Sequence, residues 1–518
     1  MEFRADALFT PDTRHGTITF VMRFSTQTMM RPRLAAVIIL LAAGSANAQG
    51  VSRLDLRPQD GSTFEVPRGQ RQLFLDDHGI AEIARLQRTM HPAAKKGAVI
   101  RPDPNQPTGG LQIRCAPLWI PQEKIYRFLV ADTAGPTSLF RWFSSGDGLH
   151  WTPGRQPDMG TYTLVYDEHD PDPQRRYKAA LPPRGFAISA DGNHWRMLPD
   201  VAGVPSGDEA NFSYDSQSQR FLLTVKIGGP HGRSVGLATS EDFENWTNHG
   251  LVFHADDEDQ KVGRRAIEAR LADSGFLPPY NKPDPAVFNV DVYNMGIFRY
   301  EGLYIGMPSM YHATSPVPDY SNTEGFHLVH LASSRDLKNW TRHGARRPFI
   351  GSSRVGSGAY DLTQILGPSD VVRRGDELWF YYTGLKYRGG MVLQGGKWVP
   401  GPGFKPERDN GAVCLAVLRR DGFISLDATK IAGFVQTQPF NVPGSQLFVN
   451  VDASRGGDLI AELLNGAGEV VARSARLTGD QLRGPVQWAA GDIADLKGQT
   501  ASLRFTLRNA EFYSYWLE

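Results

Sequence analysis

Cysteine is nearly absent: Cys115 and Cys414 are the only two in 518 residues. That excludes a disulfide-stapled scaffold and a four-cysteine zinc site. A dominant charge is absent as well, because 56 basic and 55 acidic residues leave a net charge of +1. No field of one sign favours nucleic acid or an anionic membrane surface. No apolar run after residue 43 approaches the roughly 20 residues needed to span a bilayer. The HExxH, phosphate-loop and dinucleotide-binding glycine patterns are all missing, which argues against a zincin metalloprotease, a P-loop nucleotidase and a Rossmann oxidoreductase. No G-x-S-x-G elbow marks an α/β-hydrolase serine. No metal set is readable, so no cofactor is expected, with a structural calcium the one ion that would leave little trace.

What is present is a repeat. Ser-x-Asp-x-x-x-Trp occurs four times, as Ser145-Asp147-Trp151, Ser189-Asp191-Trp195, Ser240-Asp242-Trp246 and Ser334-Asp336-Trp340. Each copy follows a run of β-forming residues, and a short motif recurring at such intervals marks a repeat architecture. Ser and Asp hydrogen-bond the backbone of a tight turn, and Trp starts the next strand with a face large enough to wedge between sheets. Reading back from each motif gives blades beginning near Ile113, at TYTLVYDE, at EANFSYD and at DVYNMGIF. A fifth runs from DVVRRGDELWFYYTG to Arg420-Asp421-Gly422-Phe423, which replaces the full motif. The expected fold class is all-β: a five-bladed β-propeller followed by a small C-terminal β-sandwich. The propeller spans 49–430. Residues 251–287, with helical KVGRRAIEARLADSGF and proline-rich LPPYNKPDP, read as a loop inserted on one face, a degenerate sixth blade being the alternative. The strand-like RQLFLDD, 71–77, is expected to close the ring within the last blade. Residues 431–518 alternate apolar and polar with Gly and Asp turns, the pattern of an antiparallel sandwich.

The N-terminus reads as an export signal. Arg31 and Arg33 precede an apolar stretch from Leu34 to Ala43, which leads to Ala46-Asn47-Ala48. That is a basic region, a short apolar region and an A-x-A cleavage site. Residues 1–48 are therefore expected to be leader and signal peptide, and the mature protein periplasmic or secreted. Cys115 and Cys414 fall in the first and last blades, neighbours in a closed ring. Either a ring-closing disulfide or two separate buried thiols fits, and the second is expected.

LFLDD followed by RTMHP, the SRDLKNW-type turns, YDLTQILGPSDVVRRGDELWFYYTG, LRRDGFISL and the ending AEFYSYWLE resemble a group of exported bacterial proteins. Those are related to glycoside hydrolase families 32 and 43, five-bladed propeller enzymes. The resemblance implies a carbohydrate substrate and three carboxylates on inner strands of successive blades: a base or nucleophile, a supporting Asp and a Glu acid. The first belongs to an Asp-Pro motif opening blade one. Here blade one opens on IRCAPLW, which carries no carboxylate.

Glycosidic cleavage needs one protonated and one ionised carboxyl group converging on a pocket. In a propeller these come from inner strands near the axial mouth. Glu209 begins the third blade with Asn211 two residues on; the bland reading is a turn carboxylate. Asp291 stands in an otherwise apolar run with Tyr293 on its face, where an unpaired charge is costly. Asp361 precedes the fifth inner strand, with Gln364 near. These three are the expected catalytic set, Asp291 and Glu209 as acid and base in either order. Asp167 and Glu168 read as solvated loop residues, and Asp370 as structural. Asn211, Tyr293, Tyr311, His312, Glu324, Gln364 and Trp119 are candidates to bind sugar, while His and Trp are more commonly structural. Arg264 and Arg265 would matter for a uronate or sulfated sugar, with a solvated helix face as their default. The expected function is an exported glycoside hydrolase; a non-catalytic glycan-binding propeller and a glycoside phosphorylase are the alternatives.

Overall fold

The computed structural model describes residues 53–55, 64–105, 110–133, 139–181, 185–198, 204, 208–388, 391–394, 397–401 and 409–518. The predicted leader at 1–48 lies outside them. Five antiparallel sheets succeed one another along the chain. Their first strands include Leu111–Gln112, Thr163–Tyr166, Ala210–Asp215, Asn289–Tyr300 and Gln364–Leu366. Buried hydroxyls stitch neighbours together. Thr224 donates to the Met295 carbonyl (2.6 Å) between blades three and four, and Ser309 to the Ile365 carbonyl (2.6 Å) between four and five. Between five and one, Thr383 accepts from the Ile113 amide (2.8 Å) and donates to its carbonyl (3.0 Å). The last blade therefore meets the first through its second strand, Glu377–Leu385, beside the first inner strand.

The four repeated turns share one geometry. In the first, Ser145 Oγ accepts the Gly148 amide (2.8 Å), while Asp147 Oδ1 accepts the Leu149 and His150 amides (both 2.8 Å). The Ser334 and Asp336 oxygens take the Leu337 and Asn339 amides at 2.9 and 2.7 Å. The residue after each Asp is left-handed: Gly148 (φ 75°), Gly192 (74°), Phe243 (66°) and Leu337 (65°). Glycine is required at Gly148 for a second reason, since a Cβ there would sit 2.7 Å from the Tyr381 hydroxyl of blade five. The tryptophans wedge between blades, as Trp246 shows by stacking on Phe186 of blade two at 4.7 Å.

Ring closure falls to a different strand from the one expected. Ala94–Ile100 pairs with Gly411–Arg419 as the outermost strand of blade five, whereas Gln72–Leu73 pairs with Ala510–Leu517. Packing explains the exchange: Phe74 and Leu75 are buried, and the Phe74 ring lies 4.9 Å from Phe512. Lys95 and Lys96 leave the closing strand with an exposed, charged edge, which suits an outermost strand and disguises it in sequence.

Two more sheets lie beyond the blades. One runs in the order 53–55, Ile80–Ala84, Gly433–Thr437, Thr500–Arg508, Asp458–Asn465, Val470–Ser474 and Trp488–Ala490, and the other in the order Gly479–Pro485, Leu447–Ala453, Ala510–Leu517, Ile424–Ala428 and Gln87–Met90. Phe505 of the first lies 4.8 Å from Phe512 and 5.1 Å from Tyr515 of the second, so the sheets face each other as a sandwich. Residues 72–90 thus belong to the sandwich, not to the propeller that was expected to begin at 49.

Cys115 and Cys414 are buried free thiols, with no disulfide between them. Burial pushes the Cys115 thiol up to about 12 and Cys414 upward as well. Neither should react with an aromatic disulfide reagent in the native protein, and both should titrate once urea unfolds it; fast native labelling would contradict this burial.

The insertion contains the helix Asp257–Ala272, N-capped by Asp256 in a capping box with Asp259. It docks on blade four through two acids and two guanidiniums. Arg342 reaches Asp259 at 2.9 Å and Asp256 at 3.3 Å, and Arg346 reaches Asp256 at 2.9 Å and pairs with Asp259. Burial opposes ionisation of Asp256, but the Arg346 hydrogen bond, the Asp259 amide and the Arg342 charge together hold it at about 2. Its folded value lies below the ordinary 3.8, so the docking is complete above pH 3.8 and weakens as pH falls toward 2. Hydrogen exchange over 257–272 should accelerate across that window, and Asp256→Asn should flatten the response. An unchanged profile in the mutant would place the acid lability elsewhere.

Candidate active site

A cavity of about 690 Å³ opens at the end of the propeller where the inner strands begin. Its wall takes Gln112 and Arg114 from blade one, Thr161, Tyr162 and Thr163 from blade two, Asp208 and Glu209 from blade three, Tyr293 from blade four, and Gln364 and Arg388 from blade five. Every blade contributes because the chain enters each inner strand at this end, a consequence of the up-and-down order of the sheets.

Glu209 is the best-fixed polar group there. Arg114 grips it with two bonds, Nε to Oε2 at 2.7 Å and Nη2 to Oε1 at 2.9 Å, and both side chains are almost wholly buried. The fork geometry fixes the plane of the carboxylate as well as its position. The paired carboxylate holds the Arg114 guanidinium firmly in its charged form against the cost of burial. Tyr293 stands beside the pair; burial, and then the charge of Glu209, push its phenol up to about 12. It therefore remains a neutral hydrogen-bond donor at any ordinary pH. Asp208, mostly exposed, is paired with Lys226. Among the wall residues, Glu209 and Asp208 are the carboxylates.

Around Tyr293 lies a layer of aromatic rings and cations, of which Arg388 reaches the cavity. Arg233 packs over the Tyr311 and Tyr293 rings at 4.4 and 5.2 Å, and Arg388 over the same two at 4.8 and 5.2 Å. His327 contacts Tyr293 and Tyr311 edge-on and tilted, at 4.7 and 4.9 Å between centroids. Burial, with the charges of Arg388 and Arg233, drives its imidazole well below the usual range, so it is neutral.

No protein-family model matches the chain, and no curated protein matches it. Similar solved structures include the catalytic domain of a GH62 α-L-arabinofuranosidase from Coprinopsis cinerea, 12% identical, covering 63% of this chain and 97% of that one with a TM-score of 0.40. A Bombyx mori GH32 β-fructofuranosidase is 10% identical over 81% of this chain and 93% of its own, with a TM-score of 0.36. A GH43 arabinoxylan arabinofuranohydrolase from Bacillus subtilis is 9% identical over 81% and 99%, with a TM-score of 0.35. At these identities and scores the likeness carries no argument about residues or activity, which rest on the site itself.

The structure gathers Glu209, Tyr293 and Gln364 of the expected set in the cavity wall and places the others elsewhere. Asp361 is buried in blade five, accepting from Lys95 Nζ (3.0 Å) and the Tyr382 hydroxyl (2.8 Å), which makes it an internal counter-ion. Asp291 lies behind the wall, its Oδ2 bonded to Arg233 Nε at 2.8 Å and its Oδ1 buried without a partner. Burial raises its carboxyl against the pull of Arg233. Asn211 donates to Ser369 at 2.9 Å between blades. Tyr311 bonds the Thr323 carbonyl at 2.6 Å, and His312 stacks on Phe326 at 4.8 Å, with burial lowering its imidazole to about 4. Glu324 holds the insertion, accepting the Tyr280 and Asn281 amides at 2.6 and 2.7 Å.

Trp119 is also away from the cavity. It lines a smaller cleft of about 230 Å³ at the opposite end of the same inner strands, together with Glu168 and Asp370. Burial pushes the Asp370 carboxyl there up to about 6. Asp167 is buried rather than solvated, because Lys178 Nζ reaches it at 3.2 Å. Arg264 and Arg265 are exposed on the helix. Among the described residues, no cluster of three or more His, Cys, Asp or Glu is placed to hold a metal ion, and no helix is long and apolar enough to cross a membrane.

Proposed function

We propose that the protein is an exported glycan-active hydrolase working in the axial cavity, with Glu209 transferring the proton. The observation that carries this reading is the fixed trio of Arg114, Glu209 and Tyr293 in a cavity large enough for one or two sugar units. Glu209 projects from an inner strand, and its partners orient it without filling the space in front of it. Tyr293, neutral at working pH, is suited to donate to a sugar oxygen or to the carboxylate itself. Glycosidic hydrolysis needs a second group to activate water or attack the anomeric carbon. Asp208, the other carboxylate of the wall, is the group available for that role.

A second reading, glycan binding without cleavage, is favoured by one observation. Blades one and two present Arg114 and the Thr161–Thr163 segment to the cavity, with no carboxylate from either. Reducing-sugar release from plant and algal polysaccharides and aryl glycosides, run with wild type and Glu209→Gln, separates the two. Release by the wild type and not by the mutant supports hydrolysis. Binding of a glycan that is never cleaved supports the second reading. Export is tested by N-terminal sequencing of the mature protein, which should begin near residue 49.

A further inference from the structure

The charges around the cavity pair off with one exception. Glu209 belongs to Arg114, Asp291 to Arg233 and Asp208 to Lys226. Arg388 makes no ion pair among the described residues. It lines the cavity, its guanidinium is flanked by the Tyr293 and Tyr311 rings, and its Nε is buried with no hydrogen-bond partner. Asp291 and Glu324 are near enough to feel its charge, yet Glu324 is taken by the Tyr280 and Asn281 amides, and Asp291 keeps Oδ2 on Arg233 and leaves Oδ1 without a hydrogen bond to any group, Arg388 included. A buried guanidinium left without a counter-ion is costly to maintain. The Tyr293 and Tyr311 hydroxyls hydrogen-bond the guanidinium but bring no charge, and its Nε stays open in the guanidinium plane, the geometry in which it receives an oxyanion.

We infer that Arg388 is the anion subsite of this cavity and that the protein's ligand brings an oxyanion to it, either as the carboxylate of an acidic sugar or as free phosphate. This rests on the glycan reading of the cavity and narrows it to a substrate class. Arg264 and Arg265, the cations that sequence offers for an acidic sugar, are on an exposed helix face, whereas Arg388 is in the wall. A neutral sugar would leave the guanidinium without a counter-charge, so the cavity should discriminate against it.

The test is titration calorimetry of the full-length mature protein with D-glucuronate, D-galacturonate, inorganic phosphate, D-glucose and D-galactose. Wild type, Arg388→Lys and Arg388→Met are compared, with circular dichroism to verify folding. At least one anion should bind the wild type, about 10- to 100-fold more weakly in Arg388→Met. Arg388→Lys should fall between them, because a point charge replaces the planar fork. Uronate binding that depends on Arg388 identifies a sugar-borne anion, and phosphate binding that depends on it identifies a free one. The inference is overturned if neither anion binds, or if both substitutions leave anion affinity unchanged. Failure of the glycan reading has a different signature: phosphate bound through Arg388 while no sugar of any charge binds and no polysaccharide is cleaved.

Discussion

Glu209→Gln should lower turnover by about 10²- to 10⁴-fold, the range a positioned acid–base group contributes, and that corresponds to about 3–5 kcal/mol of barrier. The same substitution carries a second effect that must be separated from the first. Arg114 is buried, and its counter-charge disappears. Breaking a buried pair from one side costs about 3–5 kcal/mol of stability; the amide oxygen still accepts one bond, so a loss near the lower end is expected. Activity loss in the single mutant is therefore ambiguous by itself. The double variant Arg114→Met/Glu209→Gln resolves it, because removing both charges in favour of groups of similar volume restores much of the stability. Urea unfolding should show the recovery, while turnover on the cleaved glycan stays at the level of Glu209→Gln. Turnover that returns with stability would make Glu209 a structural anion, and the proton would then have to come from Asp208 or Tyr293.

The split between what sequence discloses and what it hides follows the range of the interactions. The four Ser-x-Asp-x-x-x-Trp turns are legible because each hydrogen bond closes within three residues. Glu209 is legible because a carboxylate at the start of an inner strand must face either the axis or a neighbouring blade. Asp361 offers the same local pattern, and its partner Lys95 lies 266 positions away, which no local reading reaches. Arg114 stands in the stretch that attracts notice for lacking an acid. Asking of bases what was asked of acids, which of them sit on inner strands among apolar neighbours, would have found it. Arg388 follows the second strand of blade five and has no such signal, since its position depends on Tyr293 and Tyr311 from another blade. The ring-closing strand Ala94–Ile100 hides for a related reason, its lysines being a property of sheet edges and not of strands in general.

Asp421→Asn should destabilise the protein by about 3 kcal/mol, and Asp421→Ala by about 1 kcal/mol more. Asp421 lies in the Arg420-Asp421-Gly422-Phe423 turn that replaces the tryptophan motif in blade five, and it is completely buried. It accepts from Arg71 Nη1 (2.5 Å), the Tyr300 hydroxyl (2.5 Å), Ser514 Oγ (2.6 Å) and Asn450 Nδ2 (3.2 Å). Tyr300 belongs to blade four, while Asn450 and Ser514 belong to the sandwich, so one carboxylate ties together parts of the chain far apart in sequence. The four tryptophan turns need only to reverse the chain and wedge a tryptophan against the preceding blade. The fifth abuts the sandwich, whose Asn450 and Ser514 reach Asp421, and a charge with four donors takes the place of the indole. Loss of the charge strands Arg71, whose guanidinium stacks on Trp516 at 3.9 Å and is itself buried; an uncompensated buried cation accounts for about 3 kcal/mol. The backbone accounts for the remainder. Asp421 is left-handed at φ 63°, a conformation that Asn tolerates and that costs Ala about 1–2 kcal/mol. Tyr300→Phe, which removes one neutral donor, should cost only about 1 kcal/mol. Urea unfolding of the three variants measures the order directly. If Asp421→Asn costs less than Tyr300→Phe, the charge is not what joins the sandwich to the last blade, and the pairing of Ile424–Ala428 with Ala510–Leu517 must carry that junction instead.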